Sequence, residues 1–115
     1  MAKRDETEEL IEPIIAGRTL YIFTPQKREV KIRIGKPRRI PNSFSVGCPF
    51  QISGIGDDKI NPGVGSDSVQ AIKMTLTLIG LKLWEYNRDH EDKIRWKDPN
   101  DPDLGFPLPD NIKPN

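Results

Sequence analysis

Gly65-Ser66-Asp67-Ser68-Val69-Gln70-Ala71-Ile72-Lys73-Met74-Thr75-Leu76-Thr77-Leu78-Ile79-Gly80-Leu81-Lys82-Leu83-Trp84-Glu85-Tyr86 is the stretch on which the fold turns. Val69, Ile72, Leu76, Ile79 and Leu83 recur at helical spacing, and Met74, Leu78 and Leu81 widen the stripe, which predicts one long amphipathic helix over residues 66–86. Asp67 with Gln70 three residues on is a capping-box arrangement, its carboxylate satisfying orphan N–H groups at the positive helix end. Ser66 is the alternative cap. A helix apolar around so much of its surface needs covering on more than one side, by the chain's own arms or by a second copy, so a homodimer is one expectation.

Upstream, two runs rich in β-branched and aromatic residues, Arg18–Phe23 and Glu29–Ile34, flank Thr24-Pro25-Gln26-Lys27 and read as a β-hairpin. In the second run Val30, Ile32 and Ile34 alternate with Glu29, Lys31 and Arg33, one face for the core and one for water. Lys36–Ser43 reads as an extended loop. From Phe44 to Ile52 the even positions Phe44, Val46, Cys48, Phe50 and Ile52 are apolar, which makes a third strand, and Pro49 with Gly47 implies a bulge or an edge position there. Residues 54–65 hold Gly54, Gly56, Gly63 and Gly65 and read as a long connection that needs positive φ. Ile94-Arg95-Trp96 adds a short fourth strand. The expected fold is α+β: an antiparallel sheet of three to four strands packed by one long helix.

With 115 residues, one domain suffices, expected over 16–97. Residues 1–15 form a loosely packed acidic arm, in which Pro13 breaks regular structure. Residues 98–115 form a Pro- and Asp-rich tail, with Leu104 and Phe106 able to dock back. No apolar run reaches the length of a membrane span, the N-terminus lacks the apolar stretch of a signal peptide, and Cys48 is the sole cysteine, so the expected setting is cytoplasmic.

Net charge is only +1, yet residues 18–39 carry eight basic side chains against Glu29 alone. Lys27, Lys31, Arg33, Lys36, Arg38 and Arg39 can form one positive stripe, a possible partner surface for an acidic protein or, more weakly, for nucleic acid, since no aromatic residues interleave them. An enzyme would have to draw on Asp57, Asp58 and His90. The lone His90 in a run of charges reads as a solvated surface histidine, Asp89, Glu91 and Asp92 as a hydrated acidic turn, and Cys48, on the apolar face of its strand, as an inert core thiol. The glycine segment lacks Gly-Lys-Ser/Thr and the Gly-x-Gly-x-x-Gly spacing, and Asp57, Asp58 and Asp67 would repel a phosphate. No catalytic residue, metal site or cofactor is therefore assigned.

Cys48-Pro49-Phe50-Gln51-Ile52 with Gly54-Ile55-Gly56, the Gly65–Ala71 helix start, Arg18-Thr19-Leu20, the Ile34-Gly35-Lys36-Pro37 turn and the closing Leu104-Gly105-Phe106-Pro107 resemble an uncharacterised bacterial family of small α+β proteins over about residues 17–106. This resemblance implies a fold and no activity. In element order alone, hairpin, strand, loop and long helix, the chain is also similar to HicB-type antitoxins. The leading expectation is a non-enzymatic protein-binding module of antitoxin, immunity or regulatory type; the alternatives are a nucleic-acid binder using the basic hairpin and a small enzyme.

Overall fold

The structure, a computed structural model, describes residues 11–115. Its strands are β1 (Ile14–Ile22), β2 (Arg28–Gly35), β3 (Arg38–Arg39), β4 (Val46–Ser53), β5 (Ile60–Gly65) and β6 (Ile94–Arg95), with one long helix, α1 (Ser68–Asp89), between the last two. All pair antiparallel in one sheet of six strands. The α+β class is as expected, but the sheet exceeds the three to four strands read from sequence. The additions are β3, inside the segment read as loop, and β5, inside the glycine segment read as a connection.

Register puts Leu20 opposite Val30 and Ile32 opposite Ile52, and residues two apart along each strand share a face. Leu20, Ile22, Val30, Ile32, Ile34, Cys48, Phe50 and Ile52 are accordingly buried together, with Ala71, Ile79, Leu83 and Ile94 completing the core. Helix α1 packs on this face, chiefly over β4 and β5.

Pro49 marks neither a bulge nor an edge, contrary to expectation: β4 is paired on both sides. One edge meets β5 from Val46 to Gln51; the other meets β2 from Phe50 to Ser53 and β3 at Val46 and Gly47. Cys48 and Pro49 fall in the gap where β2 has ended and β3 has not begun, and on the β5 side Pro49 faces Pro62. Neither edge therefore asks its nitrogen for a hydrogen bond, which is how a proline sits inside a sheet. Phe44, read as an inward residue of this strand, lies before it and is 90% exposed. The chain turns at Asn42, whose φ is +60°, and the Ser43 hydroxyl accepts from Ser45 N–H at 2.9 Å.

The helix is capped by Asp67, whose Oδ1 accepts from Gln70 N–H at 2.8 Å, and the Gln70 Oε1 accepts from Ser66 N–H at 2.6 Å. Its fully buried stripe is Ala71, Thr75, Ile79, Leu83 and Asn87, every fourth residue; of the expected set, Ile79 and Leu83 lie on it, Ile72 and Leu76 are partly buried beside it, and Val69 is 73% exposed. Small residues face the sheet because backbone meets backbone there: a Cβ on Gly63 would overlap Thr75. Thr75 Oγ1 accepts from Gly63 N–H at 3.1 Å and donates to Cys48 C=O at 2.8 Å, joining helix to both β4 and β5. At the other end Asn87 pairs with Ile94 like a strand neighbour, Oδ1 accepting from its N–H at 2.7 Å and Nδ2 donating to its C=O at 3.2 Å. That pairing helps hold β6 at the sheet edge, beside β1.

The broad apolar girth of α1 is met by the C-terminal tail. Arg18 on β1 stacks its guanidinium 3.8 Å from the Trp96 ring centroid and 4.9 Å from that of Phe106, and its Nη1 donates to the Leu104 and Gly105 carbonyls at 3.1 and 3.2 Å. Gly105 sits there at φ +77°, where a side chain would also overlap Arg18 and Trp96. Pro107 C=O then lies so close to Gly80 that a Cβ would overlap it, and Trp84 Nε1 donates to Lys113 C=O at 2.9 Å. These residues form a second layer over the helix. Of the arm expected over residues 1–15, residues 1–10 lie outside the described residues, Ile11 is fully buried and β1 begins at Ile14.

Candidate interaction surface

With one sheet face under the helix, the opposite face carries the residues of other parity. β1 contributes Thr19 and Tyr21, β2 contributes Lys31 and Arg33, β4 contributes Gly47, Pro49 and Gln51, β3 contributes Arg38, and β5 contributes Ile60, Pro62 and Val64. Ile11, helical in conformation and fully buried, packs on it against Gly35 beside Pro49.

The expected positive stripe is resolved into three environments. Lys27, in the β1–β2 turn, lies 4.6 Å from the Tyr21 ring centroid and 5.6 Å from that of Phe23. Lys31 meets Glu29 at 3.5 Å, and Arg33 donates to the Gln51 amide oxygen. Lys36 is exposed, Arg38 donates to the backbone carbonyl of Glu12, and Arg39 lies 5.8 Å from the Phe44 ring centroid. Among the described residues neither Arg38 nor Arg39 has a carboxylate within ion-pair distance, unlike Arg28, paired with Asp92 at 2.9 Å, or Arg88, paired with Asp89 at 2.9 Å.

Beside those two arginines the sheet forms a trough of about 390 Å³, lined by Arg38, Arg39, Ile40, Pro41, Gly47, Pro49, Ile60 and Pro62. Gly47 is its bare floor: a Cβ there would stand 3.4 Å from Ile40 and 3.6 Å from Pro62. The lining is mostly apolar, and its charged members are both cations.

The enzyme candidates are not brought together. Asp57 and Asp58 accept from Lys59 N–H at 3.0 Å and Gly54 N–H at 3.3 Å, so both shape the β4–β5 turn, where Gly54 and Gly56 hold φ of +105° and +112°. His90 lies at the far end of α1, stacked 3.8 Å from Tyr86, with Nδ1 2.8 Å from the Tyr86 carbonyl. Between the turn and the helix runs a cleft of about 250 Å³ with Asp57, Lys59, Asn61, Lys82, Glu85 and Asp89 on its walls. Both signs line it. The hydrogen bond and charge of Arg88 hold the Asp89 carboxyl below its ordinary range. Cys48 is fully buried beneath the helix, where burial pushes its thiol up, and its Sγ lies 3.4 Å from the Gly35 carbonyl. Among the described residues no three His, Cys, Asp or Glu side chains are grouped to hold a metal ion, and no helix is long and apolar enough to cross a membrane.

A family model described as a domain of unknown function, DUF6968, matches residues 16–108. The chain belongs to this family. No curated protein and no solved structure matches it. The DUF6968 stretch encloses every strand from Ala16 onward, the helix, and the tail through Phe106 and Pro107, so the Arg18 clamp lies wholly inside it. The sequence points to Leu104 and Phe106 docking back, as they do, but not to Arg18 as the residue they meet. Their spacing of 86 to 87 residues hides the contact. The trough was missed for another reason: three of its apolar residues are Pro41, Pro49 and Pro62, which sequence patterns score as breakers rather than as surface.

Proposed function

We propose that this DUF6968 chain is a non-enzymatic protein-binding module, of antitoxin, immunity or regulatory kind in a bacterial cytoplasm, and that the open sheet face is where its partner docks. The observation that supports this reading is the asymmetry of the sheet. One face is closed by α1, itself overlaid by the tail, while the other carries Arg38 beside an apolar trough that Arg39 also lines, both arginines without carboxylate partners among the described residues. Opposite charge would steer a partner to the site, and apolar contact would hold it.

The test is co-purification of tagged chain from native lysate, wild type beside Arg38→Glu/Arg39→Glu. A stoichiometric protein that is lost with the double variant supports the reading; wild-type chain that repeatedly comes down alone removes it. A nucleic-acid reading has its own observation, the Tyr21 and Phe23 rings under Lys27 at the rim of the same face. It expects salt-sensitive retention on RNA that the double variant abolishes. Equal retention of the two proteins excludes it.

A further inference from the structure

We propose that the cleft between the β4–β5 turn and α1 is a small-molecule site, and that its ligand is a free α-amino acid with an apolar side chain. The cleft lies on the helix side of the sheet, away from the face assigned above to a protein partner.

The cleft follows from the same glycines that seat the helix. Gly65 lies against Ala71 and Gly63 against Thr75, so strand and helix run side by side in opposite directions. Asn61, next on that face of β5, restores a side chain, and the contact opens into about 250 Å³ backed by Phe50 and Ile52, which are 1% and 4% exposed. These core residues give an apolar group a fixed floor to lie on. Tyr86, its ring stacked 3.8 Å from that of His90, stands in the helix wall.

The charges come in order. Moving away from the contact of Gly63 with Thr75, the strand side carries Asn61, Lys59 and Asp57, and the helix side Lys82, Glu85 and Asp89. On both walls a cation precedes the acids. Arg88 already engages both oxygens of Asp89, at 2.9 and 3.1 Å, which leaves Asp57 and Glu85 to face Lys59 and Lys82. Among the described residues neither lysine, nor Glu85, stands in an ion pair. A ligand with one charge would meet repulsion from two of these four groups and attraction from the other two; a zwitterion turns each of its charges to the opposite sign. Lys82 and Glu85 are three residues, about 4.5 Å, apart along the axis, so both charges have to sit close together on one small molecule. The Asn61 amide, with a donor and an acceptor, can serve either of them.

The experiment is a nitrogen–proton chemical-shift titration of the full chain with L-leucine and L-phenylalanine, and with the N-acetyl and the carboxamide form of each. The expected result is saturable shifts at the backbone amides of Asn61, Lys82, Glu85 and Tyr86 with at least one of the two zwitterions, which binds at least tenfold tighter than both of its blocked forms. Lys82→Glu and Glu85→Lys, both at exposed side chains, are each expected to weaken binding at least tenfold with an unchanged melting temperature. Lys31→Glu, on the opposite sheet face, is expected to change it less than twofold.

Absence of saturable shifts with both amino acids up to about 10 mM overturns the proposal. So does equal binding of either blocked form, which would leave apolar contact or a single charge as the cause. Saturable shifts confined to residues outside the cleft, or a loss in Lys31→Glu equal to that in Lys82→Glu, also overturn it.

Discussion

Thr75 shows how much one hydroxyl does in this fold. It is fully buried, yet it is neither a helix-face polar residue nor a flaw in the apolar stripe, because it satisfies Gly63 N–H and Cys48 C=O together. Among the described residues no buried side-chain polar atom lacks a partner. Thr75→Val keeps the shape and leaves both backbone groups without the hydroxyl, so we expect it to cost about 3 kcal/mol in urea unfolding. Thr75→Ser keeps the bonds and loses one methyl, an expected cost of about 1 kcal/mol. Equal costs for the two would refute the bridging role. Asn87 belongs to the same class, a buried amide that stands in for a strand partner of Ile94.

The elements were legible where side-chain periodicity carries the signal. The hairpin alternation, the third strand, the short edge strand near Ile94 and the Asp67 cap are all present, since each rests on local chemistry of neighbouring residues. What escaped reading is structure made by the absence of side chains. β5 carries Pro62, Gly63 and Gly65, a composition that argues for a loop, and it becomes a strand because the helix needs backbone to lie on. The same contact displaced the helix's inner stripe onto Ala71 and Thr75, which hydrophobicity ranks below Val69 and Leu76. We expect Gly63→Ala to cost about 3 kcal/mol by forcing α1 away from the sheet. Gly56→Ala, at φ +112° but with nothing within 4 Å, is expected to cost only about 1 kcal/mol. Matching chemical-denaturation midpoints would show that close approach is not what Gly63 provides. Of the candidate site, the basic residues were legible as charge, but their division into paired and unpaired groups depends on which strands adjoin, which no local pattern records.

For the whole molecule, the layering is sheet, helix, tail. The tail meets the helix's outer side at Gly80 and Trp84 and is clamped to β1 through Arg18, which joins the last described segment to the first strand. Truncation after Asp103 removes Leu104 and Phe106 from the helix and from Arg18. We expect a melting temperature well below that of the full chain, from a loss of about 3 kcal/mol, together with self-association in light scattering as apolar helix surface is uncovered. A monomeric truncation with an unchanged melting temperature would show that the tail is an accessory. Thr75, which meets Gly63, and Gly80, which meets Pro107, are five residues apart, about 140° around the axis and about 7.5 Å along it. The helix is therefore keyed like a shaft with two slots cut at different angles and heights. A one-residue insertion between Thr75 and Gly80 turns one key out of its slot, whereas the same insertion in the 54–59 turn leaves both seated. The chain thus indexes its own rotation mechanically, through the positions where it has least to show.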